Sequence, residues 1–173
     1  DRIKAWDEDD AKGPLDVRLA TNTHGPSRRE GDRLRFTVST YEAWSTNVLG
    51  RGLGDKHMIS FWISTNGPDC CAERTLNIVR ANKDLRAVVC CFAKGPERRR
   101  VPVWRPDNHS VRVAIRPVLL GKGLTKIHWF AEVSAEYSRK NCGASGGDGG
   151  GGPPPVACQV DRAPDGGKMR HRF

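Results

Sequence analysis

Arg33-Leu34-Arg35-Phe36-Thr37-Val38-Ser39-Thr40 and His57-Met58-Ile59-Ser60-Phe61-Trp62-Ile63-Ser64-Thr65 decide the fold. In the first run Leu34, Phe36 and Val38 alternate with Arg35 and Thr37. In the second Ile59, Phe61 and Ile63 alternate with Ser60, Trp62 and Ser64. A side-chain period of two turns one face toward an apolar interior and leaves the other wet. Both runs are therefore strands with one covered face.

The same rhythm recurs outward from these two segments. Leu15, Val17 and Leu19 alternate with Asp16, Arg18 and Ala20 and predict a first strand. Arg74–Arg80 and Leu85–Phe92 flank Ala81-Asn82-Lys83-Asp84, a tight hairpin by its turn residues. Arg99–Trp104 predicts a short strand in which Pro102 marks an edge or a bulge. Ser110–Ile115 and Lys126–Ser134 follow, and Val156–Val160 is a candidate last strand. No amphipathic helix stands out beyond short turns near Thr40–Val48 and Val118–Gly121. The expectation is an all-β, antiparallel two-sheet sandwich, jelly-roll-like, with about eight or nine strands and little helix. Its parts would be an acidic entry segment (1–14), a sandwich core (15–134), a Gly/Pro-rich region with a possible last strand (135–164) and a basic, disordered tail (165–173). The irregular Tyr41–Lys56 connection is either a crossover between sheets or a binding loop.

Composition narrows the setting. The 173 residues suffice for one domain with a real core, and the formal charge is +9. Such a balance points to a polyanionic partner or to plain solubility. The segment 94–116 carries seven Lys and Arg (Lys94, Arg98, Arg99, Arg100, Arg105, Arg112, Arg116) against Glu97 and Asp107. No stretch approaches the roughly 18 apolar residues of a membrane-spanning helix. The six cysteines suggest an oxidising, extracellular location. Nested bridges Cys71–Cys90 and Cys70–Cys91 near the open end of the hairpin are the first expectation. Cys142–Cys158 would close the Gly/Pro-rich loop. Zinc is the alternative, although adjacent cysteines turn poorly onto one ion.

Two constellations have chemistry to offer. The acidic run holding Asp7, Asp9, Asp10 and Asp16 supplies hard oxygen donors for calcium, with Asp161 a fourth candidate beside Asp7, Asp9 and Asp16; otherwise it is a solvated terminus. Trp44, Trp62 and Trp104 are candidate stacking surfaces for sugar rings or bases, whereas Trp129 shares a face with Ile127 and belongs to the core. No nucleophile elbow, phosphate loop or zinc-protease motif occurs, and the five histidines show no metal-ligand spacing.

The opening Asp7-x-Asp9-Asp10…Gly13-Pro14-Leu15-Asp16-Val17, followed by Tyr41-Glu42-Ala43-Trp44 and Ile63-Ser64-Thr65-Asn66-Gly67, resembles secreted bacterial DOMON-like domains and family-nine-type carbohydrate-binding modules. The resemblance implies a sandwich that binds sugar, heme or calcium. It would make Trp44 with Trp104 the sugar platform and Met58 beside His57 the nearest thing to heme ligands. On these grounds the chain reads as a secreted, non-enzymatic domain for an extracellular glycan or polymer, stabilised by calcium. The alternative is a basic module that grips nucleic acid or another acidic polymer through 94–116 and the tail. A hydrolase on a jelly roll is the third reading.

Overall fold

A computed structural model of the protein describes residues 2–6, 15–27, 31–51, 57–67, 73–91, 99–136, 157–164 and 168–173. In these segments the chain forms β1 (Arg2–Trp6), β2 (Val17–Ser27), β3 (Gly31–Thr40), β4 (His57–Ser64), β5 (Arg74–Ala81), β6 (Asp84–Cys91), β7 (Arg99–Val101), β8 (Val103–Trp104), β9 (Ser110–Ile115), β10 (Lys126–Glu136), β11 (Ala157–Ala163) and β12 (Met169–Arg172). The only helical pieces among the described residues are 3-10 turns at Thr46–Val48 and Pro117–Leu119. One sheet runs β1-β2-β3-β9-β8, and the other β11-β10-β4-β5-β6-β7 with β12 also on β10. Every ladder between these strands is antiparallel. The all-β two-sheet sandwich expected from the alternation is the observed fold.

The inward faces meet as the period of two requires. Leu34, Phe36 and Val38 of β3 and Val111, Val113 and Ile115 of β9 are buried on one side, and Ile59, Phe61, Ile63, Leu76, Ile78, Ile127 and Trp129 on the other. Phe36 bridges the sheets, its ring centroid 5.0 Å from Phe61 and 5.5 Å from Trp129, the latter edge-on. Such ring pairs add to the burial term, so Phe36→Ala should cost roughly 3–5 kcal/mol.

The extra strands beyond the expected eight or nine have identifiable causes. Part of the acidic entry segment, Arg2–Trp6, pairs with β2. Arg99–Trp104 is not one strand: at Pro102 the chain leaves the seven-stranded sheet as β7 and joins the five-stranded sheet as β8. Proline has no N–H to give a ladder, so the break falls there. The tail expected to be disordered instead forms β12, which pairs Ile127 with His171 and Trp129 with Met169. β11 and β12 share one edge of β10 end to end. β11, expected over Val156–Val160, runs on to Ala163.

The first strand also changes phase. A bulge between Val17 and Leu19 shifts the register, so Val17 and Ala20 are fully buried while Leu19 is partly exposed. Beyond the bulge Ala20, Asn22 and His24 lie opposite Val38, Phe36 and Leu34, on the inward face. One inserted residue is enough to exchange the faces of a strand.

Candidate anion-binding cleft

The residues expected to bind ligand do not converge. Trp44 is buried, not presented to solvent: its indole N–H donates to the His109 carbonyl at 3.1 Å, and the Arg105 guanidinium lies 4.2 Å over its ring. Arg105 in turn donates to the Asn108 carbonyl, so the turn after β8 caps the indole. Trp62 is half-buried and stacks on Phe130, centroids 6.0 Å apart and planes 10° from parallel. It is on the outer face of the seven-stranded sheet, opposite in phase to Phe61 and Ile63. Trp104 pairs with Arg112 on β9, out of phase with buried Val111 and Val113, and so faces outward from the five-stranded sheet. The two half-exposed tryptophans project from opposite faces and make no common platform. His57 and Met58 are consecutive on β4 and point to opposite faces, a poor arrangement for joint ligation of one heme. Burial lowers the His57 pKa from 6.5.

The calcium and disulfide expectations fall mostly outside the described residues. Asp7 and Asp9 lie there, as does the side chain of Asp161, whose backbone pairs with Val133 in β11. Asp16 is buried at the approach to β2, where its carbonyl accepts the Tyr41 N–H at 3.1 Å. No group of three or more metal-binding side chains converges among the described residues. Cys70, Cys71 and Cys142 are likewise outside, and Cys91 and Cys158 are described only in their backbone. Cys90 carries a free thiol. The ladder sets it opposite Thr75, four positions from Cys71, and Asn77 Nδ2 donates to its sulfur at 3.8 Å. Cys71, the expected partner of Cys90, lies outside the described residues.

What the fold does bring together is arginine. A cleft of about 600 Å³ opens where β5, β6 and the β7–β8 crossover meet the segment after Leu49. Arg51, Arg80, Arg86 and Arg100 line it with Ala81, Asn82, Leu85, Ala87, Val101 and Val103. No acidic residue and no aromatic ring is among these lining residues. Asp84 stands exposed at the neighbouring hairpin turn and is not part of the lining.

Each arginine has a local reason to be there. Arg80 follows Leu76 and Ile78 in the inward phase of β5 and pairs with Leu85. The core ends at this position, so the inward slot opens to solvent and accepts a charged head on an apolar stem. The Arg80 N–H donates to the Gly50 carbonyl at 2.8 Å, and Arg80 Nη1 donates to Asn47 Oδ1 at 2.7 Å. Asn47 belongs to the 3-10 turn that Ser45 caps. Arg86 Nη2 reaches the Arg51 carbonyl at 3.4 Å. Arg100, exposed on β7, pairs with Val88. Asn82 adopts φ 59° at the hairpin tip, a left-handed conformation that asparagine tolerates, and this tight turn sets Arg80 opposite Leu85 and Arg86 opposite Val79.

The electrostatics follow directly. Four arginines line one concavity, with no carboxylate among its described lining residues. The Nε atoms of Arg80 and Arg86 are buried and have no hydrogen-bond partner among the described residues. An oxyanion entering the cleft would relieve the mutual repulsion and accept these free donors. Of the described basic residues in the segment 94–116, only Arg100 is in this lining. The other three arginines come from a loop and a hairpin. The available sequence signal was Arg80 itself, a charge in the inward phase of an otherwise apolar strand.

Comparisons with protein-family models, with curated proteins and with solved structures find no match for this chain.

Proposed function

We propose that this chain is a non-enzymatic binding domain for an acidic polymer, held through the cleft of Arg51, Arg80, Arg86 and Arg100. The observation that carries this reading is the grouping of four arginines around one concavity with no acidic residue among its described lining residues. Guanidinium forks match carboxylate, sulfate and phosphate oxygens in pairs, and burial in a concave site strengthens each contact relative to an open surface. Arg51 and Arg100 stand exposed at the rim while Arg80 and Arg86 are half-buried inside. Charge thus continues from the cleft onto the surface, as a ligand longer than the cavity requires. A neutral glycan stacked on indole is less well supported, because Trp44 is covered and Trp62 and Trp104 face opposite ways.

The test is binding to sulfated dextran, with unmodified dextran as the control, across a salt series. Binding to the sulfated polymer that weakens steeply as salt rises, with none to the neutral one, is the expected result. Equal binding to both polymers, or salt-independent binding, would remove the electrostatic reading.

A further inference from the structure

We infer that the ligand of the arginine cleft is an acidic polysaccharide segment and not a nucleic acid, and that Arg80 is the residue that grips its oxyanion side-on. The inference rests on the acidic-polymer reading above and names its ligand class.

Three features of the cleft select this class. First, no aromatic side chain is among its described lining residues. Proteins that hold single-stranded nucleic acid gain roughly 1–3 kcal/mol per base from stacking on aromatic rings, and none of these lining residues supplies that contribution. Second, the site is concave. A duplex is read by a helix or ribbon that projects into its groove, whereas this feature recedes into the protein. A cavity of about 600 Å³ suits a few sugar rings. Third, apart from Asn82, the other described lining residues are small or aliphatic: Ala81, Leu85, Ala87, Val101 and Val103. These are suited to the weakly polar faces of sugar rings, while the arginines meet sulfate or carboxylate groups on the rims.

The hydrogen-bond pattern of Arg80 gives the second half of the inference. Asn47 Oδ1 occupies Nη1. The edge formed by Nε and Nη2 is left, and these two N–H groups are parallel, at the spacing of two oxygens of one sulfate or carboxylate. Asn47 is thus a positioning residue: its hydrogen bond restrains Nη1. Nε is buried without a hydrogen-bond partner among the described residues, so the guanidinium must turn to bring this edge onto an anion. Lysine at position 80 would keep the charge and lose the two-point contact.

The experiment titrates the whole chain with a sulfated hexasaccharide and, separately, with a deoxythymidine oligonucleotide of equal charge, each at several salt concentrations. The sulfated saccharide is expected to bind at least tenfold more tightly than the oligonucleotide. Arg80→Ala should weaken saccharide binding about 10- to 100-fold, the worth of a charge-assisted pair of hydrogen bonds. It should also reduce the slope of log affinity against log salt by about one. Arg80→Lys should restore the slope but not the affinity. The exposed Arg100→Ala serves as a second variant should Arg80→Ala fail to fold, with a smaller loss of the same kind. Equal or tighter binding of the oligonucleotide overturns the polysaccharide class while leaving the cleft as an anion site. Arg80→Lys binding like the parent overturns the side-on grip. Failure of both probes to bind at low salt, or binding unchanged in both the Arg80 and Arg100 variants, overturns the cleft reading itself.

Discussion

Two regions of this sandwich place a basic residue where the strand pattern calls for an apolar one, and burial treats them in opposite ways. At the end of β5, Arg80 continues the inward phase of Leu76 and Ile78 into an open cleft. Toward the opposite end of the seven-stranded sheet, His171 of β12 shares the inward phase with Ile127, facing His24 of β2. The two imidazoles meet edge-on at 5.8 Å, and Phe173 closes over both at 5.2 Å from each ring. His171 is fully buried, and neither of its ring nitrogens has a hydrogen-bond partner among the described residues. The open end keeps its charges and has room for a counter-ion from outside. The closed end holds His171 neutral: burial first, then His24, then the N-terminal ammonium lower its pKa from 6.5 to about 4. The difference teaches that an inward basic residue can meet an outside anion only where the sandwich stays open.

The largest expected effect breaks the closed end. His171 is neutral in the folded protein and takes up a proton more readily when unfolded. Its contribution to stability is therefore complete above about pH 6.5 and is lost as the pH falls toward 4. The loss is on the order of 3 kcal/mol if the full shift is realised. His24, whose Nε2 lies 2.9 Å from Asp32 Oδ1, faces the same region, whereas Arg170 and Arg172 alternate with His171 and stand exposed on the other face. Denaturant unfolding at a series of pH values should show this decline. In His171→Phe, of similar volume and without a titrating group, the decline should be much shallower. Parallel curves for the two proteins would show that the closed end does not depend on a neutral imidazole.

The open end should respond in the contrary manner. Removing Arg80 and Arg86 together to alanine is expected to weaken binding of the sulfated hexasaccharide about 100-fold, equivalent to about 2.7 kcal/mol. The melting temperature should hold or rise slightly, because like charges in one concavity repel. A large fall in melting temperature would make these arginines structural and bring the two ends closer in character. Asn47→Ala should have a smaller effect, about three- to tenfold in affinity, since it frees the Arg80 guanidinium without removing it. Trp62→Ala should leave affinity within about twofold, because the Trp62–Phe130 stack is on a different surface; the same substitution should lower stability through the lost ring contact.

How much of this was legible in the sequence depends on the range of the signal. Leu34-Phe36-Val38 and Ile59-Phe61-Ile63 announced their strands because a period of two is a local property. The bulge at Val17–Leu19 was not legible, since one extra residue leaves each half of the pattern looking regular. β12 was missed because Met169-Arg170-His171-Arg172 is short and basic, and its burial comes from β10 and not from its own composition. The cleft was missed for a related reason. Counting charge along the chain singled out 94–116, whereas the lining arginines lie at positions 51, 80, 86 and 100 and meet only through the β5–β6 hairpin and the crossover at Pro102. Trp44 was misplaced because loop residues are expected outside, yet this loop carries its indole inward under Arg105.

The most direct test of the account asks where an anion lands. Arginine Nε–Hε resonances can be followed by NMR while a sulfated hexasaccharide is titrated in. The account predicts that the side-chain signals of Arg80 and Arg86 shift first and saturate together, with smaller changes at Arg51 and Arg100. Shifts confined to the Trp62–Phe130 face or to the basic strand at Met169–Arg172, with Arg80 and Arg86 unmoved, would contradict it.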